Sequence, residues 1–176
     1  MEAYQVILLV IVLLAFFYIV LVAYVLGKVH EFKLHLRRRM HGLNLLLSQR
    51  AKAILAIVDE FQKSSLNLSE EQRACFDRVA HLDFSKPTET MIKESVALIK
   101  EATSRLKAIA EENPKAQESE TFQYNLGLLN DLERNYRTVV GLYNADVVAF
   151  NYWISIPTVS WISRYILRHR KRALLN

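Results

Sequence analysis

The chain has 176 residues, 52% of them hydrophobic, with 23 Lys and Arg against 18 Asp and Glu and a single cysteine, Cys75. One cysteine excludes an internal disulfide framework, and this length leaves room for one folded domain beside any membrane segment. Only four Gly and three Pro occur; an all-β chain needs a turn roughly every 8 to 12 residues, so the composition points to long helices and an all-α fold.

The first element is a run without charge from Val6 to Leu26, 21 residues long. At about 1.5 Å per residue it spans about 31 Å, close to the hydrocarbon thickness of a bilayer. Apolar side chains surround it with no polar face, which is unlike a soluble core helix. A cleaved signal sequence fits poorly, because Met1 to Gln5 contain no Lys or Arg and no small-x-small pattern follows Leu26. The expected organisation is an anchor over residues 1–27, a helical body over 28–156, and a basic amphipathic helix or tail over 157–176. Tyr4 just before the run and Tyr24 near its C-terminal end lie where aromatic rings favour the interface, and Tyr18 lies deeper within it.

Immediately after the span come Lys28, Lys33, Arg37, Arg38 and Arg39. The positive-inside rule then predicts an N-terminus outside and a cytoplasmic C-terminus in a cell membrane. The same cluster suits anionic phospholipid headgroups. Residues 53–163 hold eleven basic and sixteen acidic residues, so the positive charge lies at the two ends. A nucleic-acid binder typically carries its positive surface on the folded body, so no nucleic-acid partner is expected.

The body shows heptad spacing in three segments. The first places Met40, Leu43, Leu47, Arg50, Ile54, Ile57 and Phe61 at steps of three and four. Without proline from Lys28 to Gln62, this helix is expected to continue from the membrane span. Ser69-Glu70-Glu71-Gln72 reads as a capping box opening a short helix toward His81. The second long helix is expected from Ser85-Lys86-Pro87 to Asn113-Pro114, with Ile92, Val96, Ile99, Thr103, Leu106 and Ala110 on its seam. The third, from Ser119 to about Ser155, places Phe122, Leu126, Leu129, Glu133, Tyr136, Val140, Tyr143, Val147, Phe150 and Ile154 in one stripe. Three such helices predict an antiparallel bundle. An up-and-down count puts Pro157 at the membrane-distal end, unless the short helix adds a leg.

Two charged residues interrupt the seams, Arg50 and Glu133. Heights along the bundle estimated to differ by roughly 10 Å at 1.5 Å per residue argue against direct pairing, so each is expected to snorkel to water from the seam's margin. Asn144 and Asn151, seven apart beside the seam, are placed to hydrogen-bond a neighbouring helix.

The segment Tyr143-Asn144-Ala145-Asp146-Val147-Val148-Ala149-Phe150-Asn151-Tyr152-Trp153-Ile154-Ser155-Ile156-Pro157 resembles the closing signature of the LemA family, YN-x-x-V-x-x-YN-x-x-I-x-x-FP. Tyr143, Asn144, Val147, Asn151, Ile154 and Pro157 match it, while Phe150 and Ile156 depart from it. Leu36-Arg37-Arg38 resembles the family's L-x-R-R segment, without the D-L-I-P-N-L that follows there. The resemblance implies a single-pass bacterial membrane protein with a cytoplasmic helical bundle and no established catalytic activity, related domains being associated with membrane organisation.

Signals for catalysis are weak. No phosphate-cradling glycine pattern, H-E-x-x-H or C-x-x-C motif occurs. Glu31 and His35 share a helix face, but the surrounding Lys and Arg disfavour a divalent cation, so neither metal nor cofactor is expected. At the C-terminus Trp161 and Tyr165 alternate with Arg164, Arg168, Arg170, Lys171 and Arg172, a pattern that suits a helix lying in anionic headgroups. The expected function is a non-enzymatic scaffold that engages an unidentified protein partner or a second copy at the inner membrane face. The alternative is direct lipid binding that organises or remodels the membrane.

Overall fold

The computed structural model describes residues 3–64, 66, 68–114, 118–157, 160 and 170–175. These form four principal α-helices, α1 (Ala3–Lys63), α2 (Glu70–Ala80), α3 (Glu89–Glu112) and α4 (Glu120–Trp153), and among the described residues there is no strand. The helix α1 runs unbroken for 61 residues, as a segment without proline permits. It is long and apolar enough at its N-terminal end to cross a membrane. Residues 3–21 are all exposed, Leu, Ile, Val and Phe side chains included, a pattern that suits a lipid environment and would be costly in water.

The chain divides into two compact units, Met1–Arg37 with Tyr143–Leu174, and Arg38–Leu142 with Leu175–Asn176. In the second, the seam of α1 is buried from Met40 through Leu43, Leu47, Ile54 and Ile57 to Phe61. The Phe61 and Phe122 rings stack with centroids 5.8 Å apart, and Ser119 donates to the Glu60 carboxylate at 3.4 Å. Eleven residues back from Phe61 along α1, Arg50 meets Glu133, eleven residues on from Phe122 along α4, so within this unit the two helices run in opposite directions. Asn44 on α1 donates to the Phe84 carbonyl at 2.6 Å, which ties the loop between α2 and α3 to the first helix.

The caps explain where the shorter helices begin. Ser69 accepts from the Gln72 amide while the Gln72 side chain accepts from the Ser69 amide, so the expected capping box is formed. The start of α3 differs from the sequence reading: Thr88, not Ser85, is its N-cap, accepting from the Met91 amide. Ser85 is instead drawn into a turn by Asp83, which accepts from both its amide and its hydroxyl, an arrangement in which a short polar side chain competes with helix initiation.

The buried stripe on α3 is wider than one seam. Ser95, Leu98, Ala102 and Ile109 join Ile92, Ile99, Leu106 and Ala110 on a helix that α2 packs against, burying Cys75, Phe76 and Val79 of its own, whereas Val96 and Thr103 of the expected seam are only half-buried. The other unit is built by Val25, Val29 and Leu36 from α1 and by Tyr143, Val147, Phe150 and Ile154 from α4, all buried.

Candidate functional site

The unit that contains the apolar stretch also contains the signature segment. Tyr143, Val147 and Ile154 are buried, a set of apolar positions that a seven-residue helical period brings to one face. Asn144 and Asn151 are half-buried and Pro157, beyond the end of α4, is exposed. Asn151 does not bond a neighbouring helix as expected. Its amide nitrogen donates to the Arg172 carbonyl at 2.9 Å and its amide oxygen accepts from the Arg172 N–H at 2.9 Å. A side-chain amide has one donor and one acceptor edge matching those of a peptide group, so Asn151 holds the C-terminal segment by its backbone and leaves the Arg172 side chain exposed.

Residues 170–175 carry no regular secondary structure, with Arg170, Lys171 and Arg172 exposed; over this stretch the chain is a tail rather than a helix. Trp161, Arg164, Tyr165 and Arg168, the other candidate membrane contacts, lie outside the described residues.

Trp153 at the end of α4 meets the Tyr24 ring edge-on at 6.0 Å, and Tyr152 meets Trp153 at 5.5 Å. Tyr24 lies near the C-terminal end of the apolar stretch, so the end of α4 is at that level rather than membrane-distal. The short α2 supplies the extra leg that reverses the count. Tyr152 is 65% exposed. Two tyrosines and a tryptophan here have the amphipathic chemistry of an interfacial aromatic belt.

The basic residues after the stretch lie on α1. Lys28 donates to Glu31 at 2.8 Å, and this bond holds the Lys28 ammonium above and the Glu31 carboxyl below their ordinary pKa values. Lys33, Arg37 and Arg38 are exposed and Arg39 is half-buried. His35 packs edge-on against Phe32 and lies 4.0 Å from the Asp146 carboxylate of α4. Glu31 and His35 thus face different partners, and among the described residues no group of three or more acidic, histidine or cysteine side chains is gathered for a metal.

In the second unit, Arg50 and Glu133 meet at 2.6 Å, which overturns the expectation that each would snorkel separately. The register explains the difference: both lie eleven residues from the Phe61–Phe122 stack along oppositely directed helices, whereas heights estimated from inferred helix ends carry the uncertainty of those ends. Arg50 is only 5% exposed, and its guanidinium lies 5.8 Å from the centroid of the Tyr136 ring. Burial pulls its pKa down while Glu133 opposes that shift, and burial pushes the Tyr136 phenol up. Arginine remains charged in such a setting. Glu133 also accepts from Arg137 at 2.9 Å, so one carboxylate serves two guanidinium groups.

The Tyr24–Trp153 contact, the His35–Asp146 approach and the capture of Arg172 were not evident from the sequence. Only the aromatic composition near Tyr152 hinted at the first. No family model matches the chain, and no curated protein or solved structure matches it.

Proposed function

We propose that the chain is a LemA-like, single-pass membrane protein of a bacterial cell membrane, with its N-terminus outside, whose cytoplasmic three-helix antiparallel bundle is a non-enzymatic scaffold. The observation that carries this reading is the continuity of α1: one helix holds both an apolar stretch with the length of a bilayer and the buried seam of the folded body. The basic residues after the stretch support the orientation. Exposed apolar side chains on the body, Leu45 at 60% and Tyr124 at 73%, supply surface for a protein partner or a second copy.

A second reading, action on lipid, draws support from the Tyr24, Trp153 and Tyr152 cluster with Lys28 and the exposed Arg170–Arg172 segment in the same unit. Photo-crosslinkers placed at Leu45 and Tyr124 of the full chain in its own membrane separate the two. The scaffold reading expects discrete protein adducts and unchanged vesicle shape on reconstitution. Absence of adducts together with tubulated anionic vesicles would replace it with the lipid reading.

A further inference from the structure

Beyond the scaffold reading, we infer that the groove between α3 and α4 around Arg50 binds a small phosphate-bearing anion. The groove has a volume of about 550 Å³, within the usual range of small-molecule sites, and all its lining residues belong to one compact unit. Lys100 and Lys107 line it from α3, seven residues apart and therefore on one face, and Arg137 lines it from α4. Arg50 closes it from α1. Four cations meet one carboxylate, Glu133, already committed to both Arg50 and Arg137.

A second observation independent of the charge count points the same way. The Nε of Arg50 is buried and donates to no acceptor, in a side chain only 6% exposed. A buried guanidinium donor without an acceptor is costly, and the residue that carries it, Arg50, lines a groove otherwise rich in donors. Lys100 and Lys107 are exposed at the mouth, where they are placed to draw an anion in. A phosphate dianion supplies several acceptor oxygens and offsets the excess of positive charge that Glu133 alone leaves in the lining, and guanidinium and ammonium groups are its usual protein partners. Apolar Val96 and Leu129 in the same lining suit an organic body attached to that phosphate.

The test uses the full chain in nanodiscs of zwitterionic lipid, with pyrophosphate as the probe and binding read by calorimetry at two salt concentrations. We expect saturable binding that weakens with salt. Lys100→Gln with Lys107→Gln should weaken it by on the order of tenfold or more, while Lys93→Gln, on α3 outside the lining, should leave it unchanged. These exposed substitutions avoid disturbing the core, and a melting curve for each variant checks the fold. No saturable binding up to about 10 mM, or equal weakening by Lys93→Gln, would overturn the site. Repeating the titration in phosphatidylglycerol nanodiscs at matched salt identifies the source: a lost response there means that a lipid headgroup occupies the site, and an unchanged response means a soluble phosphate.

Discussion

Glu133→Leu is expected to be among the most damaging single changes outside the apolar core. It strips the guanidinium of Arg50, 5% exposed, of the carboxylate it meets at 2.6 Å. Removing one partner of a buried pair costs about 3–5 kcal/mol. The Glu133 side chain is 33% exposed, so water already reaches one end, and the lower figure of about 3 kcal/mol is expected. In a domain of roughly 100 residues that lowers the melting temperature by on the order of 10–25 °C. Arg50→Met should be milder, about 1 kcal/mol, because Glu133 keeps Arg137 and water while Met fills the space of the arginine stem. The double variant removes both charges and should melt within a few degrees of the natural chain, since well-packed apolar replacements of buried pairs are often neutral. Circular dichroism melts of the four full-length proteins in one mild detergent complete the cycle. A double variant melting at or below Glu133→Leu would refute the reasoning, because it would make Arg50 important for its stem and not for its charge.

Phe150→Ala should cost about 3–5 kcal/mol, whereas Val148→Ser on the exposed face should stay within about 0.5 kcal/mol; equal melting temperatures would mean the seam is wrongly phased. Asn151→Ala removes both hydrogen bonds to Arg172 and should expose Arg170 to Arg172 to faster trypsin cleavage at little cost to the melting temperature. In a Cys75→Ala background, a cysteine at Ala173 should resist a membrane-impermeant thiol reagent in intact cells, and efficient labelling would reverse the proposed orientation. The carboxylate of Asp83 is held below its ordinary pKa by the Ser85 amide and hydroxyl. Its contribution is therefore present above the usual Asp range near about 3.9 and is lost as pH falls through its lower folded value. Asp83→Asn should flatten the acid limb of the stability profile there.

What the sequence made legible follows from how local each signal is. The capping box at Ser69 depends on residues within one turn and forms as read; of the stripe from Phe122 to Ile154, Phe122, Leu129, Tyr136, Tyr143, Val147, Phe150 and Ile154 are buried, whereas Leu126 and Val140 are half-buried and Asn125 and Leu132 are buried beside them. The width of the α3 stripe was not legible, because Leu98 and Ile109 are buried on a helix that α2 packs against, and a periodicity in one segment does not reveal how many neighbours it meets. The start of α3 is not decided by local sequence, because Ser85 and Thr88 are both capable caps, and only the competing bonds from Asp83 decide between them. The role of Asn151 was half legible: its place beside the seam could be counted, but its partner, Arg172, lies 21 residues away.

The same distinction between spacing and register bears on why charges sit in a hydrophobic seam at all. Heptads permit two helices to pair in several registers one turn apart, each burying nearly the same apolar surface. Arg50 and Glu133 meet in the register that also stacks Phe61 on Phe122. A slip of one heptad would move Arg50 toward Leu126 or Val140 and leave its charge buried without a carboxylate. The pair thus contributes less to how strongly α1 and α4 associate than to which alignment they take. That alignment also brings Arg50 and Glu133 into the lining of the groove that Lys100 and Lys107 share, so one polar interruption in each seam bears on both the pairing of the helices and the chemistry of the cleft beside them.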